Sequence, residues 1–105
     1  MRTAAQSVVG LDQILRWLAT RGPLVAPYNV YDDFDHYNGG VYRRQSDDFI
    51  GQHALCVVGY DEPEGCWIVK NSFGPAWGER NGFARIAWGE CGIDAVMWGV
   101  LGIVA

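Results

Sequence analysis

A histidine and an asparagine stand at the ends of two neighbouring β-rich segments of this sequence. His53 opens the segment 53–60, and Asn71 closes the segment 66–71. The short connection 61–65 predicts an antiparallel hairpin, which would bring these two ends side by side. There the amide oxygen of Asn71 could accept one imidazole N–H and fix the tautomer, leaving the other ring nitrogen as a general base or as the partner of a thiolate. The alternative is a capped histidine at a strand end and an asparagine that makes a turn.

The hairpin is preceded by a segment with helical spacing. Apolar residues recur there at intervals of three and four, which predicts a helix over residues 10–20 with one buried face. Gly22 is placed to end this helix, and Pro23 prevents its continuation. The residues of the apolar face are Leu11, Ile14, Leu15 and Leu18.

The rest of the chain is rich in predicted strands. The first, at 24–31, contains Pro27, which cannot donate to a strand ladder and is therefore predicted at a sheet edge or a bulge. A short helical turn is predicted within 31–40, ending at the Asn-Gly-Gly break. Further strands are predicted near 41–44, 53–60, 66–71 and 82–87, with a possible last strand at 99–104. The fold class is therefore α+β: a partly open, barrel-like antiparallel sheet of five or six strands with one flanking helix.

Length and charge limit the classes of function. The 105 residues correspond to a single domain, 1–105, of which we set residues 1–10 apart as an N-terminal extension. The net charge of −4 and the scattered positions of the eight Lys and Arg residues disfavour a nucleic-acid partner. No apolar tract matches a secretory signal or is long enough to span a bilayer, so no membrane partner is predicted.

The cysteines do not form a recognisable framework. Cys56, Cys66 and Cys91 are odd in number and lack CxxC spacing, so neither paired disulfides nor a four-cysteine zinc site follows from them. This pattern favours a reducing compartment, with the cytoplasm as the expected location.

One acidic cluster could in principle hold a metal ion. Because a helical turn would spread its side chains around the circumference, we expect a solvated acidic face instead, with no metal and no cofactor. The cluster consists of Asp32, Asp33, Asp35 and His36.

Two longer segments resemble the C-terminal half of papain-family cysteine peptidases, and cathepsin B-like sequences in particular. They are "GPLVAPYNVYDDFDHYNGGVYR" and "GQHALCVVGYDEPEGCWIVKNSFGPAWGERNGFARIAWGECGID", and the resemblance covers roughly residues 11–104. It implies that His53 is the catalytic histidine and that Asn71 orients it. Phe73 stands where the family usually has a tryptophan that shields this pair, and Trp77 matches the second tryptophan of the motif.

Part of the family's machinery is missing from the sequence. The resemblance implies a nucleophilic cysteine and an oxyanion-hole glutamine near a "CGSCW" segment, and nothing in this chain resembles that segment. Cys56 should point away from His53 by strand alternation, and Cys66 opens its strand far from Asn71. Cys91 lies in "ECGI", where the family usually has a disulfide-bonded cysteine, yet no cysteine in 41–52 could pair with it. We therefore expect small buried side chains rather than nucleophiles.

The resemblance also implies a substrate subsite lined by apolar or small residues. Its expected members are Pro27, Gly51, Ala54 and Val96, which would receive an apolar side chain two residues before the scissile bond. Ordinary core packing is the alternative for Val96.

Three functions remain open at this point. The chain could supply His53 and Asn71 to a cysteine on another chain or on a removed N-terminal segment, and then cleave a peptide or protein substrate. It could be a non-catalytic peptide-binding module. It could also be a self-assembling protein whose homodimer covers the apolar face that a papain-like partner domain would cover, with Phe73, Trp77 and the segment 95–100. The segment 1–10 folding over that face is the alternative to a dimer. In each case we expect the isolated chain to be inactive.

Overall fold

The computed structural model describes residues 2–104 and, within them, the side chains of residues 5–100. Its strands are β1 (Arg2–Val8), β2 (Leu24–Tyr31), β3 (Val41–Tyr42), β4 (Phe49–Asp61), β5 (Cys66–Lys70), β6 (Phe83–Ala87) and β7 (Met97–Val104). The helix α1 (Leu11–Thr20) and two 3₁₀ turns, Asp32–His36 and Glu90–Gly92, complete the described chain. None of the helices in this part of the chain has the length and apolarity needed to cross a membrane.

The predicted helix is confirmed, with one change in its buried face. The backbone N–H of Gly22 donates to the carbonyl of Trp17, and Gly22 has a φ of 113°, so this glycine ends the helix as expected. Ile14 and Trp17 are buried, whereas Leu11 is 41% exposed. Leu11 is the first helical residue, and its side chain tilts toward the N-terminus and away from the core.

One mixed sheet holds the strands in the order β1-β7-β2-β4-β5-β6-β3. The predicted fold class is confirmed, and the β4–β5 hairpin is antiparallel as expected. Two features were not predicted: β1 pairs with β7 through the segment set apart as an extension, and β3 runs parallel to β6. Both depend on contacts between distant parts of the chain, which local patterns do not report.

Pro27 lies within the sheet rather than on an outer strand. It pairs with Ala54 of β4, and β7 borders the other side of β2 through the pair Val25 and Trp98. The described register with β7 stops at that pair. At Pro27, β2 therefore has a described partner on the β4 side alone, although the strand as a whole is not at the edge of the sheet.

The core lies between the inner face of the sheet, α1 and the turn Asp32–His36. Large side chains fill it, and the fully buried ones include Trp67, Tyr28, Phe34, Ile14 and Leu55. Leu55 and Val57 face this core from β4, while Cys56 between them is exposed. The alternation gives the sheet an inner apolar face and an outer face open to solvent.

Candidate active site

His53 lies inside β4 rather than at its start, because the strand begins at Phe49. Its Cα partner is Tyr28 on β2, and its side chain is exposed. The hairpin partner of β4 is in register from Cys56, which faces Lys70 of β5. That pair ends the ladder, so Asn71 is the first residue after β5, and His53 lies three residues before Cys56 on β4.

Asn71 follows β5 directly, and hydrogen bonds hold both its backbone and its side chain. Its backbone N–H donates to the carbonyl of Gly82 at 3.0 Å, and its amide Oδ1 accepts the backbone N–H of Ser72 at 2.8 Å. The side chain is 7% exposed, and its amide Nδ2 is buried without a hydrogen-bond partner. Among the side chains of residues 5–100, no hydrogen bond joins this amide to His53. The orientation of His53 by Asn71 thus stays a prediction.

Phe73 covers the imidazole of His53 from one side. The two rings meet edge to face with centroids 6.0 Å apart and planes at 84°. Phe73 in turn contacts Trp77 at 5.3 Å and 80°, so the aromatic rings continue away from the histidine. The side chains predicted to shield the pair are therefore in contact with each other, and one of them contacts His53.

Phe34 packs against both Phe73 and Trp77 from the core side. The sequence patterns did not indicate a role for it. It is fully buried in the first 3₁₀ turn and packs against Trp77 at 5.0 Å and Phe73 at 6.3 Å. Its carbonyl also accepts the indole N–H of Trp77 at 3.3 Å. The "DDF" turn is thus joined to the loop after β5, which only the tertiary structure reveals.

Glu79 fixes the far end of the same loop. Its carboxylate accepts the Tyr37 hydroxyl at 2.6 Å, the Gly40 backbone N–H at 3.0 Å and the Arg85 guanidinium at 3.1 Å. Burial opposes ionisation of Glu79, but the hydrogen bonds from Tyr37 and Arg85 outweigh it and lower the pKa of the carboxyl group. Burial and the bond to Glu79 raise the pKa of Tyr37 to about 12.

Two of the residues predicted to line a substrate subsite are strand partners, and two are not. Pro27 pairs with Ala54, whereas Val96 lies just before β7, whose described pairing with β2 is the pair of Trp98 and Val25. Ala54 is exposed, and Pro27 and Val96 are partly buried. Gly51 lies three residues before Ala54, opposite Val30.

The three cysteines have different surroundings. Cys66 is buried at the start of β5, as expected, but the expectation of a buried side chain is wrong for Cys56, which is exposed on the outer face of β4 because the alternation of the strand turns Leu55 and Val57 to the core instead. Cys91 is partly buried and has a left-handed backbone with φ of 53°. Burial is the main cause that raises the pKa of the thiols of both Cys66 and Cys91, so neither is an activated thiolate.

The acidic cluster makes structural contacts. Asp33 accepts the hydroxyl of Tyr42 at 2.7 Å and the backbone N–H of Gln45 at 2.8 Å. Asp32, Asp35 and His36 are exposed. Within the described part of the chain, no three acidic, histidine or cysteine side chains are grouped as metal ligands.

Comparison with known sequences identifies the family. The family model described as papain family cysteine protease matches residues 2–100. The chain belongs to the papain family of cysteine proteases. The match begins within β1, so it includes most of the segment 1–10 that sequence analysis placed outside the resemblance.

Its relatives are cathepsin B-like. The chain is 46% identical over 92 residues to cathepsin B-like CP3 of Giardia intestinalis, covering 81% of this chain and 30% of that protein. It is 45% identical over 100 residues to cathepsin B-like cysteine proteinase 1 of Ostertagia ostertagi, covering 91% of this chain and 29% of that protein. The chain thus spans about 30% of the length of these curated relatives.

Solved structures agree with this assignment. The structure of procathepsin B S9 from Trypanosoma congolense superposes with a TM-score of 0.82 at 33% identity, covering 92% of this chain and 35% of that one. Digestive procathepsin L 3 of Tenebrio molitor larval midgut gives a TM-score of 0.77 at 26% identity, covering 92% of this chain and 34% of that one. The fold is papain-like, and it corresponds to about a third of each of these chains.

Proposed function

We propose that this chain is the His- and Asn-bearing part of a papain-like cysteine protease. The nucleophilic cysteine and the oxyanion-hole donor would come from a segment outside these 105 residues. The observation that carries the proposal is the position of His53, exposed on β4 and edge to face with Phe73, which follows the buried Asn71 by two residues. The shared family and the partial coverage of the relatives support it.

In this proposal His53 handles every proton of the reaction. The incoming cysteine transfers its thiol proton to the free ring nitrogen of His53, and the thiolate attacks the scissile carbonyl. The imidazolium then protonates the leaving amine, which breaks the peptide bond and leaves an acyl-enzyme. His53 next accepts a proton from water as it attacks the thioester, and returns it to the cysteine sulfur. Asn71 holds the imidazole through its amide oxygen, which has a second lone pair beyond the one used by Ser72.

Phe73 keeps water away from this pair. A hydrogen bond in a drier environment is electrostatically stronger than one in bulk solvent, so the ring supports the orientation of His53 by Asn71. Since Phe73 is itself 40% exposed, the incoming segment would complete the cover.

The substrate is a peptide with an apolar side chain near the scissile bond. Pro27 and Ala54 are paired across β2 and β4 and are both small or apolar, which supports this preference, and Val96 just before β7 is also apolar. Gly51 lies three residues before Ala54, and nothing lies within 4 Å of the position a Cβ would take there.

The experiment is a chimera. In the cathepsin B-like CP3 of Giardia intestinalis, the matched region is replaced by the corresponding part of this chain, and hydrolysis of a dipeptidyl fluorogenic substrate is measured. We expect His53→Ala to lower kcat by about 10³-fold or more. His36→Ala is the matched control, since His36 is exposed in the first 3₁₀ turn, and it should leave the rate nearly unchanged. A His53→Ala chimera as active as its parent would refute the proposal.

A homodimer is the second candidate, and it rests on the outer face of the sheet. Val25, Val58, Trp98 and Val100 are between 40% and 61% exposed there. Val25 and Trp98 are strand partners, and exposed apolar side chains of this kind are typical of an interaction surface that a second copy could cover. Sedimentation equilibrium of the purified chain tests the dimer. A monomer mass that persists at micromolar concentration and after deletion of residues 1–9 would exclude it.

A further inference from the structure

A groove lies between β1 and α1, away from His53 and Asn71. Its volume is about 500 Å³, within the usual range of ligand sites. One wall is formed by Gln6, Ser7, Val8 and Val9, and the other by Gln13, Arg16, Trp17, Thr20 and Arg21. None of these residues has a part in the proposed protease function.

The strand wall of this groove is a sheet edge. β1 stands at the end of the strand order and pairs with β7 on one side, and no strand in residues 2–104 pairs with its other side. Successive side chains of a strand point to opposite faces, so a groove bordered by Gln6, Ser7 and Val8, three consecutive residues of β1, follows the backbone edge rather than one face. Backbone N–H and C=O groups on such an edge can pair with an added strand.

The helix wall of the groove is basic. Arg16 and Arg21 are its charged residues, and no Asp or Glu lines it, although the chain as a whole carries a net charge of −4. Within the described residues, neither arginine forms a salt bridge, whereas Arg44 and Arg85 each do. The guanidinium of Arg21 lies 4.9 Å above the ring of Trp17, which is itself 8% exposed. The groove therefore combines a strand edge, an aromatic floor and two guanidinium groups without carboxylate partners.

We propose that this groove binds an extended peptide segment of a partner protein that carries a carboxylate. The segment pairs with the free edge of β1, and its acidic side chain lies between Arg16 and Arg21. A second copy of this chain fits less well, because the sequence of β1, "RTAAQSV", contains no carboxylate and one further arginine. The partner must therefore bring its own negative charge. About four residues of its segment, at roughly 3.3 Å each, would run the length of the strand wall.

The test uses the whole ¹⁵N-labelled chain and two blocked pentapeptides, Thr-Val-Asp-Val-Thr and Thr-Val-Asn-Val-Thr. The peptides are titrated to millimolar concentration, because a short strand binds weakly, and amide shifts are followed by NMR. We expect shifts at residues 6–9 and at the Trp17 indole N–H. The Asp peptide should bind about three- to tenfold more tightly than the Asn peptide, as expected for one charge-assisted contact.

Variants assign the charge effect to the groove. Combined Arg16→Gln and Arg21→Gln should make the two peptides bind equally, with the fold checked from the remaining amide peaks. Arg43→Gln is the matched control, because it removes one exposed positive charge beside β3, at the opposite end of the sheet, and should preserve the difference. Equal affinities of the two peptides for the unmodified chain, shifts confined to other residues, or no shifts at all would each overturn the proposal. Because no step of this test measures proteolysis, its failure is separate from a failure of the chimera.

Discussion

The contact between Gly99 of β7 and Trp17 of α1 predicts a severe effect of one added methyl group. A Cβ at position 99 would lie 2.1, 2.4 and 2.8 Å from three ring carbons of Trp17, whereas carbon atoms normally approach to about 3.5–4.0 Å. The indole is almost fully buried, so moving away would cost it most of its present packing contacts. Overpacking of this kind costs about 1–3 kcal/mol, and three overlapping atoms place Gly99→Ala near the upper end. At about 4–8 °C per kcal/mol, the melting temperature should fall by about 12–24 °C.

Thermal unfolding of the purified chain, followed by circular dichroism, measures this effect. Gly51→Ala is the matched control, because Gly51 also lies in a strand but nothing lies within 4 Å of its added Cβ. This control should be neutral or slightly stabilising, by about 0.4–1 kcal/mol. In a Trp17→Leu background the cost of Gly99→Ala should fall to less than half, since the overlapping ring is gone. The clash should shift the melting temperature by much more than about 2 °C. If Gly99→Ala melts within about 2 °C of the parent, the reasoning is refuted.

Three further predictions concern the isolated chain. Purified protein should not cleave a dipeptidyl fluorogenic substrate, and cleavage that a thiol alkylator abolishes would contradict this. The contacts of Glu79 lower its pKa, so its ionised carboxylate stabilises the fold at pH values above the unfolded pKa near 4.5. This contribution is lost as the pH falls further. Glu79→Gln should therefore destabilise the chain at pH 7 and much less at pH 3. Urea unfolding at the two pH values measures the difference, and Glu62→Gln, an exposed carboxylate, should show none of it. Iodoacetamide should modify exposed Cys56 first and buried Cys66 last, with Cys91 between them, and mass spectrometry of timed digests would show any other order.

Local patterns were enough to locate most elements of the fold. The helical spacing predicted α1 to within one residue, and the turn after residue 61 predicted the β4–β5 hairpin. The apolar and aromatic motifs also placed the chain in the papain family, which the family match confirms. These features are encoded by neighbours in sequence, where spacing and turn residues act directly.

The tertiary structure decided how β4, which carries His53, pairs with its neighbouring strands. The sequence predicts His53 and Asn71 side by side at the hairpin ends; in the structure β4 begins four residues before His53, and the imidazole contacts the ring of Phe73. A strand pattern repeats every two residues and does not state which residue of one strand meets which of the next. Burial of Leu55 and Val57 fixes which face of β4 points to the core, and the described pairing with β5 ends at Cys56 and Lys70.

The sequence by itself determined the family, the helix and the chemical identity of the candidate pair. Only the tertiary structure decided that β1 is the outermost strand of the sheet within residues 2–104, that β3 runs parallel to β6, and that Trp17 lies against Gly99. Each of these contacts joins segments that are far apart in the chain. Their energy comes from close packing and from pairing of backbone groups in three dimensions, which no local sequence pattern records.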